Sequence, residues 1–426
     1  MIITGLALGA VLGAVLQRGR FCVTGMLRDI VLQKTWRSFV ALLIVISIHA
    51  VGLAALTSAG IISPEVDPLA PIAVILGGFI FGVGIVLAGG CASGTWYRSG
   101  EGLVGSWFAL ITYGFSAAAM KTGVLSGFNS WVKGYQWNIT TIPETLGVSV
   151  WWFAIAIALL TIYLVHYYNS RDVAAASLGK SLNQYTAGVL VGIIGVVAWP
   201  LSAATGRNDG LGITTPTANL TDWLVTGKSS YMNWGTLLVI GILIGSFLAA
   251  KSAGEFRIRI PDSTITVRSI AGGVLMGVGA ALAGGCTVGN GMVQTSLFSY
   301  QGWIALLFIG LGVAFATKLW LKPTTPVKKQ PAFAVAPLSL SVPKGGLRSI
   351  APETYALDTL GAVCPFPLID AKEAMDQLDS GEKLVIDFDC TQATETIPRW
   401  AADEGHDVAD FHEVGDASWQ ITVVKS

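Results

Sequence analysis

The chain has 426 residues, of which 53% are hydrophobic and only 12% charged, with a mean hydropathy of +0.64. Soluble domains carry about 25% charged residues, so this composition excludes an ordinary soluble protein and indicates one built into a lipid bilayer. The 26 basic residues balance the 26 acidic ones, which leaves no basic excess to point to a nucleic-acid partner. Cysteines at only five scattered positions (22, 91, 286, 364 and 390) are too few for a disulfide scaffold.

In chain order, the apolar stretch Met1–Leu16 resembles a signal segment. It lacks a basic start and a small-residue cleavage site, and is read as retained membrane structure. Further apolar segments run over about 38–59, 70–88, 103–120, 149–167, 185–200, 234–250, 270–283 and 302–319. Several fall short of the ~20 residues that span a bilayer as a helix. Short segments ending in glycine pairs fit broken or re-entrant helices, which survive only where protein or a water cavity covers their free backbone groups.

One phrase occurs twice. Gly77-Gly78-Phe79-Ile80-Phe81-Gly82-Val83-Gly84 leads to Ala88-Gly89-Gly90-Cys91, and Gly272-Gly273-Val274-Leu275-Met276-Gly277-Val278-Gly279 leads to Ala283-Gly284-Gly285-Cys286. Glycine costs roughly 1 kcal/mol relative to alanine within a helix, so adjacent glycines at the same place in both copies indicate a programmed break. Paired interruptions in two halves of a membrane protein point to a transport site. A weaker match relates Leu12–Gly25, which contains Cys22, to Ile194–Arg207, which has no cysteine. The expectation is a polytopic α-helical membrane domain over 1–322. It contains two repeats (about 1–125 and 185–320), inverted relative to each other if an odd number of crossings separates them.

Basic residues set the orientation. Arg18, Arg20, Arg28, Lys34 and Arg37 precede the 38–59 span, Lys251, Arg257, Arg259 and Arg268 precede the second phrase, and Lys318 and Lys322 follow the last span. These regions read as cytoplasmic, with the N-terminus outside if residues 2–16 cross. Residues 323–352, rich in Pro, Lys, Ser and Ala, read as a linker. Residues 353–426 then read as a two-layer α/β sandwich of order βαβαββ. Its strands are expected at Tyr355–Val363, Lys383–Asp389, 407–413 and 418–424, and its helices at Pro365–Leu378 and Thr394–Glu404.

The chemistry sits on cysteines. A thiol is a soft, polarizable group and a weak donor, suited to touching a sulfur anion without holding it, as conduction requires. Cys91 and Cys286 share the Gly89-Gly90 and Gly284-Gly285 contexts, and Cys22 follows Arg18-Gly19-Arg20. Amides at the breaks supply diffuse positive potential, while Arg20, Arg98 and Arg207 are candidates to attract anions. A buried cysteine is more often a small hydrophobe, and an arginine near a span is often a topology signal. No C-x-x-C occurs, and His49 and His166 stand alone, so no metal, heme or other cofactor is expected. In the tail, Cys364 precedes Pro365 at a helix start, where the helix dipole favours thiolate. Cys390 ends the next strand and is expected at the same rim.

Gln17-Arg18-Gly19-Arg20-Phe21-Cys22 and the doubled Gly-Gly-Cys phrase resemble the YeeE/YedE family of bacterial inner-membrane sulfur-compound transporters, in particular its thiosulfate uptake members. The resemblance implies an hourglass-like fold in which thiosulfate passes along Cys22, Cys91 and Cys286, with Cys91 central. Cys364-Pro365-Phe366-Pro367 resembles the TusA/SirA-like family, to which the separate YeeD partner of YeeE transporters belongs. It implies that Cys364 forms a persulfide or relays sulfur to cytoplasmic partners. The alternatives at this point are a transporter of another sulfur or selenium compound, and a membrane-anchored sulfurtransferase.

Overall fold

The structure, a computed structural model, describes residues 2–170, 175–178, 181–321 and 347–426. Most of the expected linker lies outside the described residues. The membrane part repeats one unit four times: a long helix, a break, a short helix or turn, then another long helix. These units are α1 (Ile3–Arg18), α2 (Val23–Leu32) and α3 (Arg37–Ser58), then α4 (Pro71–Leu87), α5 (Ala92–Gly100) and α6 (Val104–Lys121). A connecting stretch holds α7 (Ser126–Lys133), α8 (Ile142–Leu146) and α9 (Val150–Asn169). The second half comprises α10 (Gln184–Ala203), α11 (Thr214–Thr226) and α12 (Trp234–Ser252). It ends with α13 (Ser263–Leu282), a π-helical turn at Gly289–Gln294, and α14 (Tyr300–Trp320).

Among the described residues, eight helical segments are long and apolar enough to cross a membrane, and α6 with α7 forms a further pair bent by 67°. In α9 the residues Trp152, Leu159, Ile162 and Tyr163 are all exposed. An apolar helix with so little protein around it fits a lipid-facing position.

The glycines of the repeated phrase fix how the halves meet. A Cβ on Gly77 would lie 2.7 Å from the Gly279 carbonyl oxygen, and one on Gly279 would lie 2.7 Å from that of Gly77. Gly84 and Gly272 face each other in the same reciprocal way, at 2.9 and 2.8 Å. As one index rises the other falls, so α4 and α13 cross antiparallel and backbone to backbone. The first glycine of each copy meets the last of the other, which is the self-complementary contact of a local two-fold axis. The flanking helices obey the same exchange. Gly5, Gly9 and Gly13 of α1 lie on α12, and Gly188, Gly192 and Gly195 of α10 lie on α3. Gly78 and Gly82 of α4 lie on α14, and Gly273 and Gly277 of α13 lie on α6. Each half therefore completes the other, in the manner of intertwined inverted repeats.

The tail is a two-layer α/β domain with a five-stranded sheet in the order β1-β2-β3-β5-β4. The strands are β1 (Arg348–Ala351), β2 (Thr354–Asp358), β3 (Lys383–Phe388), β4 (Asp407–Gly415) and β5 (Ser418–Val424), with helices α15 (Phe366–Asp376) and α16 (Ala393–Asp403). β2 and β3 run parallel and the other pairs antiparallel. Two expectations are corrected. The strand expected over Tyr355–Val363 ends at Asp358, because residues 359–363 turn to start α15. The end of the expected linker is instead β1, which covers the outer edge of β2.

Phe388 is fully buried and stacks on Phe411 and Trp419, with ring centroids 6.3 and 6.0 Å away. Phe388→Ala is expected to cost the tail about 3–5 kcal/mol. Limited proteolysis of the full chain should then digest the tail while the membrane part survives; equal resistance of both parts would count against this core.

Candidate functional site: cysteines at the helix breaks and a docked tail

Each copy of the phrase breaks in the same way. Gly89 and Gly284, the first glycines of their pairs, adopt φ of +72° and +77°, a left-handed conformation that side chains disfavour. The second glycines allow close approach of the short elements downstream. A Cβ on Gly90 would lie 3.3 Å from Arg98 Nη1, and one on Gly285 would lie 3.2 Å from the Asn290 amide nitrogen. The carbonyls released by the breaks are satisfied by side chains from those same elements. Arg98 Nη1 donates to the Gly89 carbonyl. Asn290 Nδ2 donates to Ala283 and Gly285 carbonyls at 2.9 and 3.0 Å, and is itself held by Gln301 at 3.0 Å.

The break delivers the cysteine to a helix start. Cys91 is the N-cap of α5 and Cys22 the N-cap of α2, both in extended backbone conformation. Cys286 stands three residues before the π-helical turn. All three are buried and free. Short-helix amides and dipoles thus point toward the sulfurs. Cys22 and Cys91 come together: a Cβ on Gly94 would lie 3.4 Å from Cys91 Sγ and 3.5 Å from Cys22 Sγ. Ser93 Oγ lies 3.4 Å from Cys91 Sγ. Because α4 and α13 are antiparallel, Cys91 and Cys286 lie beyond opposite ends of that pair. Two thiols therefore stand toward one face and one toward the other.

The three arginines singled out from the sequence occupy different settings. Arg98 is 4% exposed and braces the first break. Arg20 Nη2 donates to Glu255 Oε1 at 2.5 Å and Arg20 lies 3.7 Å from Glu101, so its charge is already matched. Arg207 pairs with Asp209 at 2.7 Å and lies over the Trp234 ring. Sequence reasoning missed the network around Arg20, in which Gln17 also donates to Glu255 at 2.7 Å. The available signal was that Glu255 is a lone carboxylate amid Lys251, Arg257 and Arg259.

The tail docks on the face that carries Cys22 and Cys91. Thr391 Oγ1 donates to Glu101 at 3.3 Å, Gln392 Nε2 donates to the Tyr97 hydroxyl at 3.2 Å, and Arg259 pairs with Asp389 at 4.0 Å. Val363, beside Cys364, would lie 3.2 Å from a Cβ on Gly89. The loop bearing Cys364 thus rests on the first break. A cavity of about 290 Å³ separates the membrane part from α16, and Cys22, Arg28 and Arg399 line it. Arg28 is 4% exposed, its Nη2 lies 3.8 Å from Asp29, which also lines the cavity, and its Nε has no hydrogen-bond partner. Burial pushes the nearby Glu395 carboxyl up, a hydrogen bond from Ser181 opposing the shift.

Within the tail, parallel β2 and β3 end side by side, so the loops to α15 and α16 emerge at one edge. Asp389 Oδ1 accepts from the Gly361 amide at 2.8 Å and ties these loops together. Cys364 and Cys390 are joined there as a disulfide with Cα atoms 6.4 Å apart. Cys364 was expected at the N-cap of α15; Pro365 takes that position. No cluster suited to a metal ion occurs among the described residues.

These features have close counterparts. The family described as Sulphur transport matches residues 18–315, and that described as Sulfurtransferase TusA matches residues 355–425. The chain is 46% identical over 342 residues to the thiosulfate transporter TsuA of Escherichia coli K12, covering 77% of this chain and 97% of that protein. It is 35% identical over 326 residues to the thiosulfate transporter TsuA of Spirochaeta thermophila, covering 73% and 97%. The tail is 60% identical over 70 residues to TsuB of E. coli K12, covering 16% of this chain and 93% of TsuB. The doubled, glycine-broken membrane fold and the matches over most of its length agree: the chain belongs to the YeeE/YedE sulphur transport family and carries a TusA domain at its C-terminal end.

Proposed function

We propose that the chain takes up thiosulfate across the bacterial inner membrane and hands it to its own cytoplasmic tail. The observation that carries this reading is the pair of buried thiols, Cys22 and Cys91, at two short-helix starts beneath the docked Cys364 loop. Thiosulfate enters from the face bearing Cys286 and Arg207 and crosses the constriction at Cys91. Soft S–H···S contacts and helix-start amides replace part of its hydration shell. The Arg98 head at this break is already engaged by the Gly89 carbonyl, so it adds positive potential without clamping a dianion as a free fixed charge would. Beyond Cys22 the anion reaches the cavity lined by Arg28 and Arg399.

The tail then consumes it. Once a cytoplasmic dithiol reductant opens the Cys364–Cys390 disulfide, the Cys364 thiolate attacks the sulfane sulfur of thiosulfate. The Cys364–sulfur bond forms, the S–S bond of thiosulfate breaks, and sulfite leaves with the electron pair. Cys364 keeps a persulfide whose sulfur is available to cytoplasmic relay proteins. Tethering keeps the tail at an effective concentration up to ~mM at the exit.

The decisive experiment is uptake of radiolabelled thiosulfate by proteoliposomes holding the full chain, with and without a proton gradient. Uptake above protein-free liposomes, competed weakly by sulfate, sulfite and selenite, is expected. No uptake would overturn the reading, and strong competition by selenite would shift the substrate to another sulfur or selenium anion. The Cys364–Cys390 site favours one second reading, a membrane-anchored sulfurtransferase, which predicts sulfane transfer without uptake.

A further inference from the structure

The tail holds two cysteines at one sheet edge, whereas persulfide formation uses only one. We infer that Cys390 is a resolving cysteine, and that the tail reductively cleaves thiosulfate to sulfite and sulfide rather than stopping at a persulfide. This rests on the proposed attack by Cys364 and extends it.

The fold brings Cys390 to its partner without any rearrangement. Neighbouring parallel strands β2 and β3 deliver their following loops to the same edge, and the Asp389–Gly361 hydrogen bond fixes the loops to each other. The disulfide itself shows that Cys390 Sγ reaches Cys364 Sγ. Helices α15 and α16 both begin at this edge, so the positive ends of two helix dipoles favour thiolate at either sulfur. Both cysteines are more than nine-tenths buried, which shields a persulfide from bulk water. Two small cavities of about 30 Å³ each flank the pair. One touches Cys390 and the other Cys364, and Val363 and Ala88 border both.

The chemistry balances. After sulfite has left, the Cys390 thiolate attacks Cys364 Sγ, the inner sulfur of the persulfide. The Cys364–Cys390 bond forms, the bond to the outer sulfur breaks, and that sulfur departs with the electron pair, taking a proton from water to leave as hydrosulfide. The two thiols supply the two electrons that reduce the sulfane sulfur, and end as the disulfide seen in the structure. A cytoplasmic dithiol reductant returns them to thiols for the next cycle. The reactions that consume the products then take up free sulfide and sulfite, and relay proteins compete with Cys390 for the Cys364 persulfide.

The test uses the full chain in detergent, reduced, freed of reductant and mixed anaerobically with thiosulfate for a single turnover. Sulfite, sulfide, free thiols and the mass of the tail peptides are measured. The wild-type chain is expected to release sulfite and sulfide in equal amounts while losing the Cys364 and Cys390 thiols together. Cys390→Ser should still release sulfite, which shows that it is folded. Its sulfide release should fall ~10-fold or more, and its Cys364 peptide should gain the mass of one sulfur atom. Sulfide from C390S at the wild-type level, or a wild-type chain that stops at the persulfide, would overturn the resolving role. Absence of sulfite from both chains would instead overturn the initial attack by Cys364, and the inference with it.

Discussion

Cys91→Ala is expected to abolish thiosulfate uptake by the full chain while leaving it folded. The change removes one buried sulfur, a modest loss beside the core contacts that hold α4 and α5. Its stability cost should stay near ~1 kcal/mol, since the vacated space is that of a single atom. The effect on passage is larger because of where the sulfur stands. Cys91 caps α5, shares the space beside Gly94 with Cys22, and lies 3.4 Å from Ser93 Oγ. Without it, an anion at the break meets alanine on one side and must give up water without a soft contact in exchange. A barrier increase of ~3 kcal/mol already slows passage by about two orders of magnitude. Cys91→Ser keeps the size but replaces a soft group with a hard one, so it should recover little. The measurement is initial uptake of labelled thiosulfate into proteoliposomes, alongside elution of each variant as a monodisperse species. Undiminished uptake by a folded Cys91→Ala chain would remove Cys91 from the path.

Periodicity and composition made the glycine-broken phrase and the presence of an α/β tail after the membrane part readable, because each depends on local patterns. The phrase ending at Gly89-Gly90-Cys91 and its copy ending at Gly284-Gly285-Cys286 announced the breaks, and the structure gives the first glycine of both pairs a left-handed φ. The order of tail elements was legible for the same reason. Features made by residues far apart in sequence escaped. The Gln17–Arg20–Glu255 cluster joins positions over two hundred residues apart, and no local window contains both sides. Arg20 looked like a free cation because its carboxylate partners come from other helices. Strand β1 was hidden by the proline-rich stretch before it, and its pairing with β2 depends on an edge that exists only once the sheet has formed. Cys364 and Cys390 could be assigned to one rim from the strand–helix order, but not to a bond, which needs their actual separation.

Gly279→Val should prevent the two halves of the membrane part from assembling. A Cβ at Gly279 would lie 2.4 Å from the Phe81 amide nitrogen and 2.7 Å from the Gly77 carbonyl oxygen. Both are backbone atoms of α4, which cannot yield as a side-chain tip can. Nor can the helices simply move apart. α4 is held on its other side by α14 through Gly78 and Gly82, and α13 by α6 through Gly273 and Gly277. Overpacking commonly costs 1–3 kcal/mol where neighbours can shift, so ~3 kcal/mol is the least expected here. Gly310 in α14 provides the control, since nothing lies within 4 Å of a Cβ there, and Gly310→Ala should be neutral or slightly stabilising by removing backbone freedom. Thermal unfolding in detergent, followed by loss of the monodisperse peak, compares the two. The two-fold relation adds a sharper expectation: Gly77→Val and its repeat counterpart Gly272→Val should fail equally, because their Cβ atoms would lie 2.4 Å from the Ala283 and 2.3 Å from the Ala88 amide nitrogen. If one of these variants were tolerated and the other not, the close antiparallel crossing could not be two-fold.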